Sequence, residues 1–241
     1  MTGRPNYGID SPAIVMTLSV LGLAGLGIGL LTHSAWRWIG YILGGYFLLG
    51  AFGMLLYSKV GKLAMRERLL DDIPWNGHER VLDVGCGRGL LTVGAARRLT
   101  AGNVVGVDVW FRRAMSGNTP QSVLENSKIE GVADRVEVKE GDARKLPFPE
   151  ESFDVVISNF VLHEMKTRDD REQMVREIGR VLKPGAHVAL VDFIFTEECV
   201  DDLQRFGVTA SRRRDGALSF WISAILNLGA VRTYRVVGRK T

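Results

Sequence analysis

Three carboxylates and a run of alternating glycines hold the chemistry this 241-residue chain can offer. The stretch Val81-Leu82-Asp83-Val84-Gly85-Cys86-Gly87-Arg88-Gly89 passes from an apolar run into a turn with glycine at every second position. Such a turn lets backbone N–H groups come close to a ligand. Asp83 stands two positions before the first glycine, and Cys86 lies inside the turn. Asp108 follows about 20 residues beyond it, at the end of a second apolar run, where a carboxylate can accept both hydroxyls of a ribose. Asp142, in Gly141-Asp142-Ala143, closes a third run. A carboxylate there can accept from the amino group of a nucleobase, with the Ala143 N–H facing the ring. Val109 would cover one face of that base, and Trp110 would either join it or pack. Leu90 occupies the place where the dinucleotide fingerprint needs glycine or alanine, which disfavours a dehydrogenase.

A fourth apolar run ends in Ser158-Asn159-Phe160-Val161-Leu162-His163-Glu164. His163 is the candidate base or substrate-orienting group, since an ordinary imidazole titrates near pH 6.5. It competes with a plain role in helix capping or packing. Glu164 is a weaker candidate, and Asp192 is a rim carboxylate with no assigned role. The two cysteines, Cys86 and Cys199, are too far apart for a disulfide framework, and no metal-ligand spacing appears.

Alternating strand and helix signals position these residues and predict a parallel α/β sheet. Strands are expected at Arg80–Val84, Asn103–Val109, Arg135–Lys139, Phe153–Ser158 and Ala186–Phe193, the last entered by a tight turn at Lys183-Pro184-Gly185. Helices are expected over Leu90–Leu99, Gln121–Glu130, Asp169–Leu182 and Glu197–Phe206. Val208–Arg213 and Val231–Val237 would close the sheet as a hairpin. Between them, apolar 217–228 either packs in the core or dips into lipid beside Arg212, Arg213 and Arg214.

Taken together, Val81–Gly89, Val105–Asp108, Gly141-Asp142-Ala143 with Leu146-Pro147-Phe148, Ser152–Val156 and Arg180–Gly185 resemble class I S-adenosylmethionine-dependent methyltransferases. The type 11 group, which includes quinone-biosynthesis C-methyltransferases, is the most similar. The resemblance covers about residues 75–200 and implies a Rossmann-like seven-stranded sheet of order 3-2-1-4-5-7-6 with the last strand antiparallel. It also implies S-adenosyl-L-methionine as cofactor. Asp83, Gly85 and Gly87 would hold its methionine end, with Cys86 also among the cofactor-binding residues; Asp108 would take the ribose hydroxyls, and Asp142 and Ala143 the adenine, whose face Val109 would cover. Asn159 would approach the sulfonium.

Upstream, Ser11–Thr32 and Trp38–Tyr57 carry no charged residue. Each is about as long as the ~20 residues a membrane-spanning helix needs. Residues 1–58 therefore read as a transmembrane helical hairpin, with spans near 12–32 and 38–57, and 59–74 as an amphipathic connecting helix. The methyltransferase domain would occupy 75–241. Gly25/Gly29 and Gly40/Gly44 allow close helix approach and would also serve a homo-oligomer. Lys59, Lys62, Arg66 and Arg68 follow the second run, which places the catalytic part in the cytoplasm. The net charge of +4 is scattered without an aromatic-laced basic patch, so nucleic acid is not an expected partner. The expected function is methyl transfer at a membrane to a lipophilic small molecule: a quinone or phenol, a polyprenyl compound or a lipid amine. Methylation of a membrane protein's side chain and a non-catalytic cofactor-binding scaffold are the alternatives.

Overall fold

A computed structural model describes residues 3–110, 117–214 and 232–241; the expectation for 217–228 lies outside them. Two helices open the chain, α1 (Pro12–Leu31) and α2 (Trp36–Leu56). Both are long and apolar enough to cross a membrane, with mean hydropathy of 2.3 for the first. Most of their large side chains are exposed, Met16, Leu30, Trp36 and Ile42 among them. Their glycines face each other. A Cβ on Gly25 would sit 2.9 Å from Gly44 Cα, so only glycine permits this backbone approach. Through a π-turn (Tyr57–Gly61), α2 runs directly into α3 (Lys62–Leu70). No flexible linker intervenes.

The remaining elements are β1 (Arg80–Val84), α4 (Leu90–Ala96), β2 (Asn103–Asp108), α5 (Pro120–Ile129), β3 (Val136–Glu140), β4 (Phe153–Asn159), α6 (Arg168–Val181), β5 (Leu182–Asp192), α7 (Thr196–Arg205), β6 (Val208–Arg214) and β7 (Tyr234–Lys240). The sheet order is β3-β2-β1-β4-β5-β7-β6. Strands β1 to β5 are parallel, and β7 pairs antiparallel with both its neighbours. The seven-stranded Rossmann-like sheet expected from the sequence is thus present.

Strand alternation splits the core into two faces. Leu82, Val84, Val105, Val107 and Val156 meet Met174, Ile178 and Leu203 of α6 and α7. Val81, Val104, Val155 and Ile157 meet Met65, Leu69 and Leu70 of α3 and Leu91 and Val93 of α4. The helix expected as a connector is therefore also a wall of the α/β domain's core. Strand β5 starts at Leu182, four residues before its expected start. The Lys183-Pro184-Gly185 turn persists inside it as a bulge, because β4 advances two residues while β5 advances five. Strand β7 lies a few residues beyond its expected range.

Residues 6–10 do not hang free before the hairpin; they strap it to the domain. The buried Lys62 ammonium donates to the carbonyls of Tyr7 and Gly8, at 2.7 and 2.8 Å. Asn126 Nδ2 and Arg88 Nε both donate to the Asn6 carbonyl. Ser58 and Asp10 are hydrogen-bonded across the two ends of the hairpin. Two of the four cations expected to mark the cytoplasmic flank, Lys62 and Arg66, are thus buried ties.

Candidate active site

In-register parallel strands bring every candidate residue to one edge of the sheet. Gly106 pairs with Asp83, Ser158 with Val84, Glu140 with Asp108, and Val191 with Asn159. Along the carboxyl edge, Asp142, Asp108, the glycine turn, Asn159 and Asp192 follow in order from β3 to β5. Three aromatic residues just past the strand ends hold left-handed backbone: Trp110, Phe160 and Phe195, with φ of 54, 55 and 59°. Bulky residues adopt this conformation only where the surroundings enforce it, and such strain gathers at functional sites.

Asp83 is buried on the α4 face of β1 and accepts the Thr92 hydroxyl at 2.6 Å through Oδ2. Its other oxygen, Oδ1, is buried with no partner. Burial pushes the carboxyl up to about 7, only partly offset by the Thr92 hydrogen bonds. Asn159 Oδ1 is likewise buried and unpartnered at the end of the adjacent strand. A cationic donor is the missing complement to this pair of acceptors.

Gly85 holds φ +71°, and a Cβ there would meet Val161 Cγ2 at 2.3 Å. The Val107 carbonyl accepts from both the Gly85 and Cys86 N–H groups, pinning the turn to β2. Cys86 is a buried free thiol whose proton is held tightly by burial and by Asp83 and Asp108. Asp108 accepts the Gly87 N–H at 2.8 Å and the Trp110 N–H at 2.7 Å, so it is fixed at the mouth of the turn. Val109 beside it is 55% exposed, presenting an apolar wall to an incoming ring. Asp142 is less free than the sequence suggests. Arg144 grips both its oxygens and also reaches Asp170, holding the Asp142 carboxyl below the usual range. Ala143 is buried behind it.

His163 sits on a short 3-10 turn (Leu162–Glu164) after β4. Its Nδ1 is 3.2 Å from both oxygens of Asp192, itself only 1% exposed. Phe160 and Phe193 flank the imidazole, with ring centroids 6.2 and 4.6 Å away. Burial alone would lower its proton affinity, but hydrogen bonding and charge from Asp192, then Glu164, raise it overall. The sequence reading missed this partnership, and it missed the strap on Arg88 inside the glycine turn.

Residues 82–190 match the family model described as a methyltransferase domain. The chain carries a class I methyltransferase domain. It is 34% identical over 130 residues to methyltransferase GfsG of Streptomyces halstedii, covering 54% of this chain and 43% of that protein. To a demethylmenaquinone methyltransferase of Lactiplantibacillus plantarum it is 36% identical over 128 residues, covering 53% and 50%. The chain thus spans about half the length of the curated relatives it matches. Among solved structures, a geranyl diphosphate methyltransferase in complex with GPP and sinefungin superposes with a TM-score of 0.60 at 16% identity, covering 80% of this chain and 82% of that one. That likeness concerns the fold. The cofactor of this domain is S-adenosylmethionine, and the residues present fit it. Its ammonium group would supply the donor that the orphaned Asp83 and Asn159 oxygens lack, and Asp108 and Asp142 stand on the strand ends where its ribose and adenine are expected.

Proposed function

We propose that this chain is a membrane-anchored methyltransferase acting on a lipophilic small molecule, such as a quinone or phenol, a polyprenyl compound or a lipid amine. One observation carries the proposal: the apolar hairpin stands at the same edge of the sheet as the cofactor site. Helix α3 runs alongside α4 in the same direction. At its start, Lys62 binds the strap that reaches Arg88 in the glycine turn. Near its end, Glu67 and Asp71 meet Arg98, beyond the far end of α4. So α3 descends from the carboxyl edge, and the hairpin feeding it rises on that side. With a continuous helical connection through the π-turn in place of a linker, the carboxyl edge is turned to the bilayer. Exposed Val109, Ile194 and Phe195 line that rim.

Bound S-adenosylmethionine would supply a methyl group on a sulfonium, a leaving group that needs no acid. The chain's own task is then alignment and exclusion of water. Asp83 and Asn159 hold the methionine end, Asp108 and Asp142 the nucleoside, and Phe160 and Phe193 shield the approach of the acceptor. A relative named as a demethylmenaquinone methyltransferase supports a quinone-type acceptor. Lys59 and Arg68, with the tied Lys62 and Arg66, support a cytoplasmic domain. A homo-oligomer would use Gly27 and Gly45, which face open space, because Gly25 and Gly44 are spent within the hairpin. Membranes containing the protein, supplied with methyl-labelled cofactor, should yield label in the lipid extract. Label confined to protein would instead indicate a side-chain acceptor and overturn the small-molecule reading.

A further inference from the structure

We propose that His163 is the general base of the reaction, held by Asp192 as a positioning residue, and that the acceptor is an apolar molecule presenting an ionisable hydroxyl, a phenol or hydroquinone. The inference rests on the methyl-transfer reading above and narrows its acceptor. Its foundation is the geometry at the ends of β4 and β5. Asp192 is almost fully buried, yet its carboxylate is organised on all sides. The Phe193 N–H donates to Oδ1 at 2.7 Å, the His163 N–H lies 3.3 Å from Oδ2, and the imidazole Nδ1 is equidistant from both oxygens. A carboxylate placed this way keeps the Nδ1 proton on its own side and leaves Nε2 as the basic nitrogen. The His163 side chain is 23% exposed; Nδ1 meets the buried Asp192, and Nε2 lies on the side of the half-exposed Glu164. Among the described residues one other charged group meets the imidazole, Glu164, whose Oε1 is 3.3 Å from Nε2 and whose half-exposed side chain can swing aside.

A base would be superfluous for an acceptor that arrives with a free lone pair, such as a neutral thioether or tertiary amine. Flanking by Phe160 and Phe193 gives the imidazole two aromatic neighbours, suited to a planar acceptor with one polar group. During transfer the acceptor O–H bond breaks and its proton moves to Nε2. The oxygen electron pair forms the new O–C bond, and the electrons of the broken C–S bond remain on the departing sulfur. The imidazolium then releases its proton to water, with no oxidant or further reactant needed.

Two measurements on the full-length protein in lipid nanodiscs test this. First, in the cofactor-free protein with labelled histidine, NMR titration should place His163 above the ordinary imidazole midpoint, and Asp192→Asn should lower it. Asparagine retains an oxygen for the Phe193 N–H, and His163→Gln, which leaves buried Asp192 untouched, assigns the resonance. Second, with a short-tailed prenyl hydroquinone as acceptor, Asp192→Asn should reduce kcat by about 10²–10⁴-fold with KM little changed. His163→Gln should reduce it at least about 10²-fold. The acid limb of the wild-type kcat/KM profile should follow the NMR midpoint, because the base works only when neutral. A His163 titration unmoved by Asp192→Asn, or turnover by His163→Gln within about fivefold of wild type, would overturn the dyad. Failure of the wild type to methylate any hydroxyl, amine or carbon acceptor while binding cofactor would refute the methyl-transfer reading itself, whatever the titration shows.

Discussion

Replacing Asp83 by asparagine should strengthen the cofactor-free protein at high pH while removing its affinity for the cofactor. The buried carboxyl titrates at about 7 against an ordinary 3.8. Between those values the native state binds more protons than the unfolded chain, so stability falls as pH rises from about 4 to 7 and levels off above. Across that window the charge opposes folding by up to about 4 kcal/mol. Asparagine abolishes this, and its amide oxygen can still accept the Thr92 hydroxyl. Its NH2 group, however, is left buried where Oδ1 now lacks a partner, at a cost of about 1–3 kcal/mol. The net expectation is a gain of about 1–3 kcal/mol at pH 8, or roughly 2–10 °C in Tm for a chain of this size, and little net change at pH 5, where the carboxyl has so far cost only about 1.6 kcal/mol. Thermal melts in detergent at both pH values, with and without S-adenosylhomocysteine, measure it. Wild type should gain most from the ligand at pH 8, where the ammonium group finds the carboxylate ionised, and Asp83→Asn should gain almost nothing. A variant destabilised equally at pH 5 and pH 8, or one that keeps the full ligand-induced shift, would refute the reasoning.

Other consequences follow from the same geometry. Gly85→Ala forces a Cβ into Val161 at 2.3 Å on a left-handed residue and should cost about 2 kcal/mol or more, with cofactor binding lost in calorimetry. Lys62→Met strands the Tyr7 and Gly8 carbonyls that its ammonium now bonds, so the strap should become susceptible to protease and stability should fall by about 2–3 kcal/mol in urea titration. Asp108→Ala removes both the proposed ribose acceptor and the partner of the Gly87 N–H, and should abolish binding in calorimetry while leaving a folded far-UV spectrum.

What could be read from the chain is what has a local signature. β1 shows as an apolar run and its turn as alternating glycines, since both demands fall on adjacent residues. That Asp108, Asp142 and Asn159 share one edge is legible because parallel strands in register carry strand-end residues there. The strap was illegible: Asn6 and Asn126 lie 120 residues apart, and neither belongs to a motif. Asp192 could be placed at a strand end, but its pairing with His163 depends on how the 3-10 turn folds back over β5. The start of β5 was misjudged because Pro184 and Gly185 signal a turn, and a bulge satisfies that signal without ending the strand. Strand β7 was shifted because its outer neighbour β6 is an edge strand, buried only at Val208 and Ala210, so little hydrophobic patterning fixes the register.

The central claim is that the carboxyl edge of the sheet, with its cofactor site, faces the bilayer. Fluorescent probes attached at Ile194, on that edge, and at Lys183, toward the opposite end of β5, test it directly in vesicles containing lipids brominated near the headgroup. Strong quenching at position 194 with little at 183 is the predicted result. Equal quenching at both positions, or stronger quenching at 183, would contradict the account.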